Sequence, residues 1–126
     1  MSGLTYDAGA LLAAEARRAG LWAIHRRALD RGVEPIVPAG VLAQAWRGGP
    51  QPLLSRLLQG CAVEPFDEAE ARQAGNACGL AGTSDVVDAA VVVGAMARGD
   101  AVVTSDPDDL VKIAEALGGK LVVRVV

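Results

Sequence analysis

The chain has 126 residues, a formal charge of −3 at pH 7 and 52% apolar residues. That length suits one domain with a real core, spanning residues 1–126, and that apolar content excludes a disordered chain. With one Phe, one Tyr and two Trp, an aromatic base-stacking sheet is excluded, so any nucleic acid must meet a local basic patch or bound cations.

The expected elements alternate. Leu4 to Asp7 reads as a short strand and Ala8 to Arg18 as a helix with Leu11, Leu12 and Glu15 at helical spacing. A second helix is expected from Leu21 to Arg31, ended by Gly32, then a brief strand over Pro35 to Pro38. Ala39 to Arg47 is helical up to Gly48-Gly49-Pro50, and Pro52 to Leu58 forms another short helix. Cys61 to Glu64 is a weak strand. Asp67 caps a helix to Cys78, and Gly79 to Ser84 is a loop. Asp85 to Arg98 is apolar on nearly all sides and reads as a buried helix. Ala101 to Thr104 is a strand, Pro107 to Leu117 a helix ended by Gly118-Gly119, and Lys120 to Val125 the last strand. Strands separated by helices imply a three-layer α/β/α fold around a mostly parallel sheet of about five strands. Such sheets bind ligands beyond the carboxyl ends of their strands.

Cys61 and Cys78 belong to no CxxC or Cys/His cluster, so neither a zinc site nor a disulfide scaffold is expected, and reduced thiols in a cytoplasmic protein are. The N-terminal residues lack a basic start and apolar core of the kind that directs secretion. The most apolar stretch, Val86 to Ala97, is too short to span a bilayer and contains Asp88.

Acidic residues fall where the fold would place a ligand. Two strands lead into aspartates, Asp7 and Asp106, and Asp88 lies one turn into the apolar helix. An aspartate among Val86, Val87, Ala89 and Ala90 pays a desolvation cost unless a cation is near, and no Lys or Arg stands between Asp85 and Val93. Asp85 and Asp109 sit three residues from Asp88 and Asp106, on nearly the same helix faces. Clustered carboxylates of this kind suit Mg²⁺ or Mn²⁺, which prefer oxygen ligands and support attack on phosphoryl groups. Each acid also has a local structural role open to it: Asp7, Asp85 and Asp106 all stand where a helix N-cap would.

In this arrangement the chain resembles the PIN-domain family, and within it the VapC-type ribonuclease toxins, over nearly its whole length. Leu4 to Leu11 is similar to the first motif, Thr83 to Ala89 to the third, and Gly99 to Leu110 to the fourth. The resemblance implies a Rossmann-like PIN fold that binds Mg²⁺ or Mn²⁺ and hydrolyses RNA phosphodiesters. Asp7, Asp88 and Asp106 would be catalytic, metal-ligating acids. Asp85 and Asp109 would be auxiliary, and Ser105 would orient Asp106 or a water. A cognate antitoxin and a homodimer are implied as well. One position departs from the pattern: the second motif has Gln44 where a glutamate is usual. Glutamine carries no charge and is no general base, which keeps a second reading open, a catalytically silent PIN-like module that binds RNA or a protein partner. Arg17, Arg26 and Arg47 are candidate RNA-phosphate contacts, the first two within an arginine-rich segment that also holds His25.

Overall fold

A computed structural model describes residues 3–126. Five strands, β1 (Leu4–Tyr6), β2 (Ile36–Pro38), β3 (Ala62–Glu64), β4 (Ala101–Thr104) and β5 (Val123–Val125), form one sheet in the order β3-β2-β1-β4-β5. Every pairing is parallel. The chain therefore steps outward from β1 to β3, then crosses back to lay β4 on the other side of β1. Parallel pairing with right-handed crossovers places the helices of each direction on one face. Accordingly α2 (Ala19–Asp30), α3 (Ala39–Ala45) and α4 (Pro52–Gln59) pack around α1 (Ala8–Glu15). In the same way α5 (Glu68–Ala81), α6 (Val86–Arg98) and α7 (Asp108–Ala116) pack on one another. The result is the expected three-layer α/β/α architecture, with a sheet that is wholly rather than mostly parallel.

Covered on both faces, the central strands carry no polar–apolar alternation: every residue of β1 and β4 is buried, while edge strands β3 and β5 leave Val63 and Val125 exposed. Tyr6, Leu11, Val37, Val91, Val102 and Val103 are among the fully buried core residues. Asp67 caps α5 by accepting the Glu70 N–H at 2.9 Å, as its position predicts. Both cysteines are free thiols, and burial pushes the Cys61 thiol up to about 12, with the charge of Glu34 adding to it. No single helix among the described residues is long and apolar enough to cross a membrane.

Several boundaries differ from those expected. The first helix stops at Glu15, because Arg17 takes a left-handed conformation (φ 58) and the chain turns into α2. The expected helix to Arg47 ends at Ala45, with Trp46 extended. In the opposite sense, α5 runs through Gly79 to Ala81 and ends at the left-handed Gly82. Packing of its buried Ala74, Ala77 and Cys78 against the rest of the core outweighs the low helix propensity of glycine.

A polar network at the far end of α6 ties this frame together. Arg98 donates to Asp100 at 2.8 Å, to the Thr5 hydroxyl at 2.9 Å and to Glu64, and Thr5 donates in turn to Asp100 at 2.8 Å. It joins β1, β3 and the start of β4 beneath α6. Asp100 is buried, so deleting its cation leaves a carboxylate without a counter-charge. Arg98→Met is expected to cost about 2–3 kcal/mol in chemical denaturation, less than a fully buried pair because the Arg98 side chain is partly exposed. Adding Asp100→Asn should recover part of that loss.

Candidate active site

The order of the strands places the topological switch between β1 and β4, the position where open α/β sheets bind ligands at their carboxyl ends. The register pairs Tyr6 with Val103, so the residues that follow, Asp7 and Thr104, emerge side by side. The Asp7 amide continues the ladder by donating to the Val103 carbonyl at 3.3 Å.

Asp7 is buried and caps α1, accepting the Ala10 N–H at 3.0 Å. Its carboxyl is raised above the usual range, first by burial and further by the charge of Asp106; the Thr104 hydroxyl and the amides of Ala10 and Gly9 pull the other way. Thr104 is fully buried, and its oxygen accepts the Asp106 N–H at 3.0 Å. One threonine thus links both acids. The family resemblance gives Ser105 the orienting of Asp106 or a water and says nothing of Thr104, whose signal in the sequence is a lone polar residue closing an apolar strand. Ser105 is exposed and its backbone lies against the first turn of α1, where Gly9 has no side chain.

Capping separates the acids. Asp7 and Asp85 are both N-caps, Asp85 accepting the Asp88 N–H at 3.0 Å. Asp106 is not: α7 begins at Asp108, Pro107 occupies the cap position, and no side chain caps that helix. The exposed Asp106 carboxylate is therefore left free of that structural duty. Asp88 stands half-buried in the first turn of α6, and its carboxyl is pushed up to about 7. Burial is the largest cause, followed by Asp85, Asp7 and Asp109. Asp85, Asp88 and Asp109 line one pocket with Lys112. The five predicted aspartates thus share one edge of the sheet and feel one another's charge.

The donor set is carboxylate and hydroxyl oxygen, the chemistry that Mg²⁺ and Mn²⁺ select. None of these aspartates takes part in a salt bridge among the described residues. The excess negative charge and the oxygen donors fit a divalent cation. Among the described residues no three His, Cys, Asp or Glu side chains form a ready-made metal-binding group; the fit is to an ion held by one or two carboxylates and completed by water, the usual pattern for Mg²⁺.

Other predicted residues lie elsewhere. Gln44 is exposed in the last turn of α3 and bonds to none of the acids. It stands one turn beyond Gly40, which abuts Val87 of α6, so its helix flanks the turn that carries Asp88. Arg17 and Arg26 do not join the acid edge: Arg17 follows the far end of α1, and both line a groove beside α2. Arg47 donates to the carbonyls of Ala43 and Trp46, closing the end of α3.

No protein-family model and no curated protein matches the chain. Among solved structures it is similar to PAE2754 from Pyrobaculum aerophilum, at 15% identity and a TM-score of 0.65, over 97% of this chain and 83% of that one. At that identity the likeness is one of fold.

Two outcomes check this geometry. A Cβ on Gly9 would stand 2.8 Å from the Ser105 backbone nitrogen, so Gly9→Ala should cost about 1–3 kcal/mol in denaturant, and Ser105→Gly should not rescue it. The second concerns pH. The raised Asp88 carboxyl contributes stability that is present below pH 3.8 and lost as pH rises through about 7. Asp88→Asn should therefore be more stable than the parent at pH 8, by about 1 kcal/mol after solvent screening, and no more stable at pH 4. Mn²⁺ should raise the melting temperature of the parent more than that of the variant.

Proposed function

We propose that the chain is a metal-dependent endoribonuclease of the PIN type, the toxin of a toxin–antitoxin pair. The observation that carries this reading is that Asp7 and Asp106 follow the ends of β1 and β4 and feel each other's charge, that Asp88 feels the charge of Asp7, and that none of the three is in a salt bridge among the described residues. The motif resemblance around these three residues names the substrate class, and the fold accords with it. Asp7, Asp88 and Asp106 are the acids that would supply the one or two carboxylate ligands of Mg²⁺ or Mn²⁺, with water completing the shell and Asp85 and Asp109 beside them. When bound, the ion supplies Lewis acidity and offsets charge on the phosphoryl oxygens.

The chain's own groups prepare that site. Capping of α1 holds Asp7 in one orientation, and Thr104 fixes the backbone of Asp106 relative to it. Asp88 has a carboxyl raised to about 7 in the free protein, and a cation there restores its charged form. Gln44 near this edge adds no charge, so Asp85 and Asp109 supply the remaining negative field. The same reading carries a cytoplasmic location, a cognate antitoxin and a homodimer; exposed Val63 on edge strand β3, and exposed Phe66 and Val86 around a hollow they share with Pro38, offer apolar surface for assembly. The second reading, a silent module that binds RNA or a protein, is favoured specifically by Gln44.

The test is RNA cleavage by purified protein with Mn²⁺, with Mg²⁺ and with EDTA. Metal-dependent cleavage should fall at least about a hundredfold in Asp7→Asn and in Asp106→Asn, as removal of a group holding the ion implies. Gln44→Glu should tighten Mn²⁺ binding in calorimetry. A folded protein that cuts no RNA with either metal would leave the silent module.

A further inference from the structure

The groove beside α2 that holds Arg17 and Arg26 encloses about 880 Å³. Its walls are α2 and α4, with Trp22 and Leu29 on the first and Leu53 on the second. Arg56 joins the two arginines in its lining, and Asp30 is the one acidic residue there. None of the three arginines forms a salt bridge among the described residues.

At the floor of the groove lies His25, only 4% exposed. Its Nδ1 is 2.9 Å from the hydroxyl of the fully buried Tyr6. Its Nε2 bonds to nothing among the described residues and faces Gly60, itself part of the groove lining. A Cβ on Gly60 would come within 3.1 Å of that nitrogen, so the glycine leaves it open. The tautomer follows from hydrogen-bond accounting. Tyr6 has no other partner among the described residues, and a buried O–H without an acceptor costs more than an oxygen with a spare lone pair. Tyr6 therefore donates to Nδ1, and the ring carries its hydrogen on Nε2, aimed into the groove.

Three free guanidinium groups and one buried N–H donor converge on a cleft with little to accept from. We infer that this groove is an RNA exosite, in which Arg17, Arg26, Arg56 and the His25 Nε2–H hold phosphodiester oxygens away from the point of cleavage. Arginine forks suit phosphate, and such contacts position a strand without reading its sequence. Helix α1 sets the spacing. It leaves the acid edge at Asp7 and runs 8 residues, about 12 Å at the helical rise, before the chain turns through the left-handed Arg17. Trp22, Leu29 and Leu53 give the walls an apolar part, and it is the three unpaired guanidinium groups against the single carboxylate of Asp30 that favour a polyanion over an amphipathic protein helix. The inference takes its ligand from the ribonuclease reading, but it can be tested apart from cleavage.

The experiment measures binding of a fluorescein-labelled oligouridylate by anisotropy in EDTA, where no cleavage occurs. Arg26→Glu with Arg56→Glu, both exposed positions, should weaken binding at least about tenfold and flatten its dependence on salt. Unchanged circular dichroism would show that the fold persists. His25 is the chain's sole histidine, so a long-range ¹H–¹⁵N spectrum contains one imidazole. It should show the Nε2-protonated form and move when the oligonucleotide is added. Unchanged affinity in the double variant, or an imidazole that stays still, overturns the exosite and leaves the groove to a protein partner. Groove-dependent binding without cleavage in Mn²⁺ would uphold the exosite and sink the nuclease; cleavage with groove-independent binding would do the reverse.

Discussion

Pairing of β1 with β4 is the constraint on which the rest of this molecule depends. These strands are separated by about a hundred residues of chain, yet they lie edge to edge in register, Leu4 on Ala101 through Tyr6 on Val103. The pairing fixes where the sheet changes direction. It also places two aspartates, far apart in sequence, beyond neighbouring strand ends, and brings Thr104 level with Asp7. Helix α6 packs over both strands, which sets Asp88 near the same edge. A shift of one register step would turn every side chain of a strand to the opposite face and dissolve the site with the core.

The protein treats its acids differently at the two ends of α6. At the C-terminal end, Asp100 and Glu64 share Arg98, and Thr5 satisfies what remains. At the N-terminal end, Asp88, Asp85, Asp7 and Asp109 face one another with no guanidinium or ammonium in salt-bridge contact among the described residues. Burial and mutual repulsion raise the Asp7 and Asp88 carboxyls, which is a cost to the folded state. Charge is thus neutralised at one end of the helix and left unneutralised at the other. Under the proposed function, a cation at the acid edge would return part of what folding gives up there.

Much of this was legible from the residues because the signals were local. Apolar runs bounded by Gly and Pro mark the strands; Asp67, Asp85 and Gly99 mark helix ends. Ala101 to Thr104 matches its expected bounds because a buried central strand leaves no ambiguity of period. The misplacements share a cause as well. Helix α5 passes through Gly79 because tertiary contacts of Ala77 and Cys78 hold it, and α1 ends before Arg17 because a non-glycine residue there adopts a left-handed conformation. Propensity has no means of anticipating either.

The sequence by itself determined the alternation of elements, the parallel α/β class and the positions of Asp7, Asp88 and Asp106 at strand ends and in a buried helix, since those follow from periodicity and from the cost of burying charge. Only the tertiary structure decided which acids are mere caps, which carboxylates remain free and that Thr104 joins two of them. It likewise separated Arg17 and Arg26 from the acid edge and turned His25 Nε2 toward a groove. Those outcomes depend on strand register and helix packing across long stretches of chain, and no local pattern of residues encodes them.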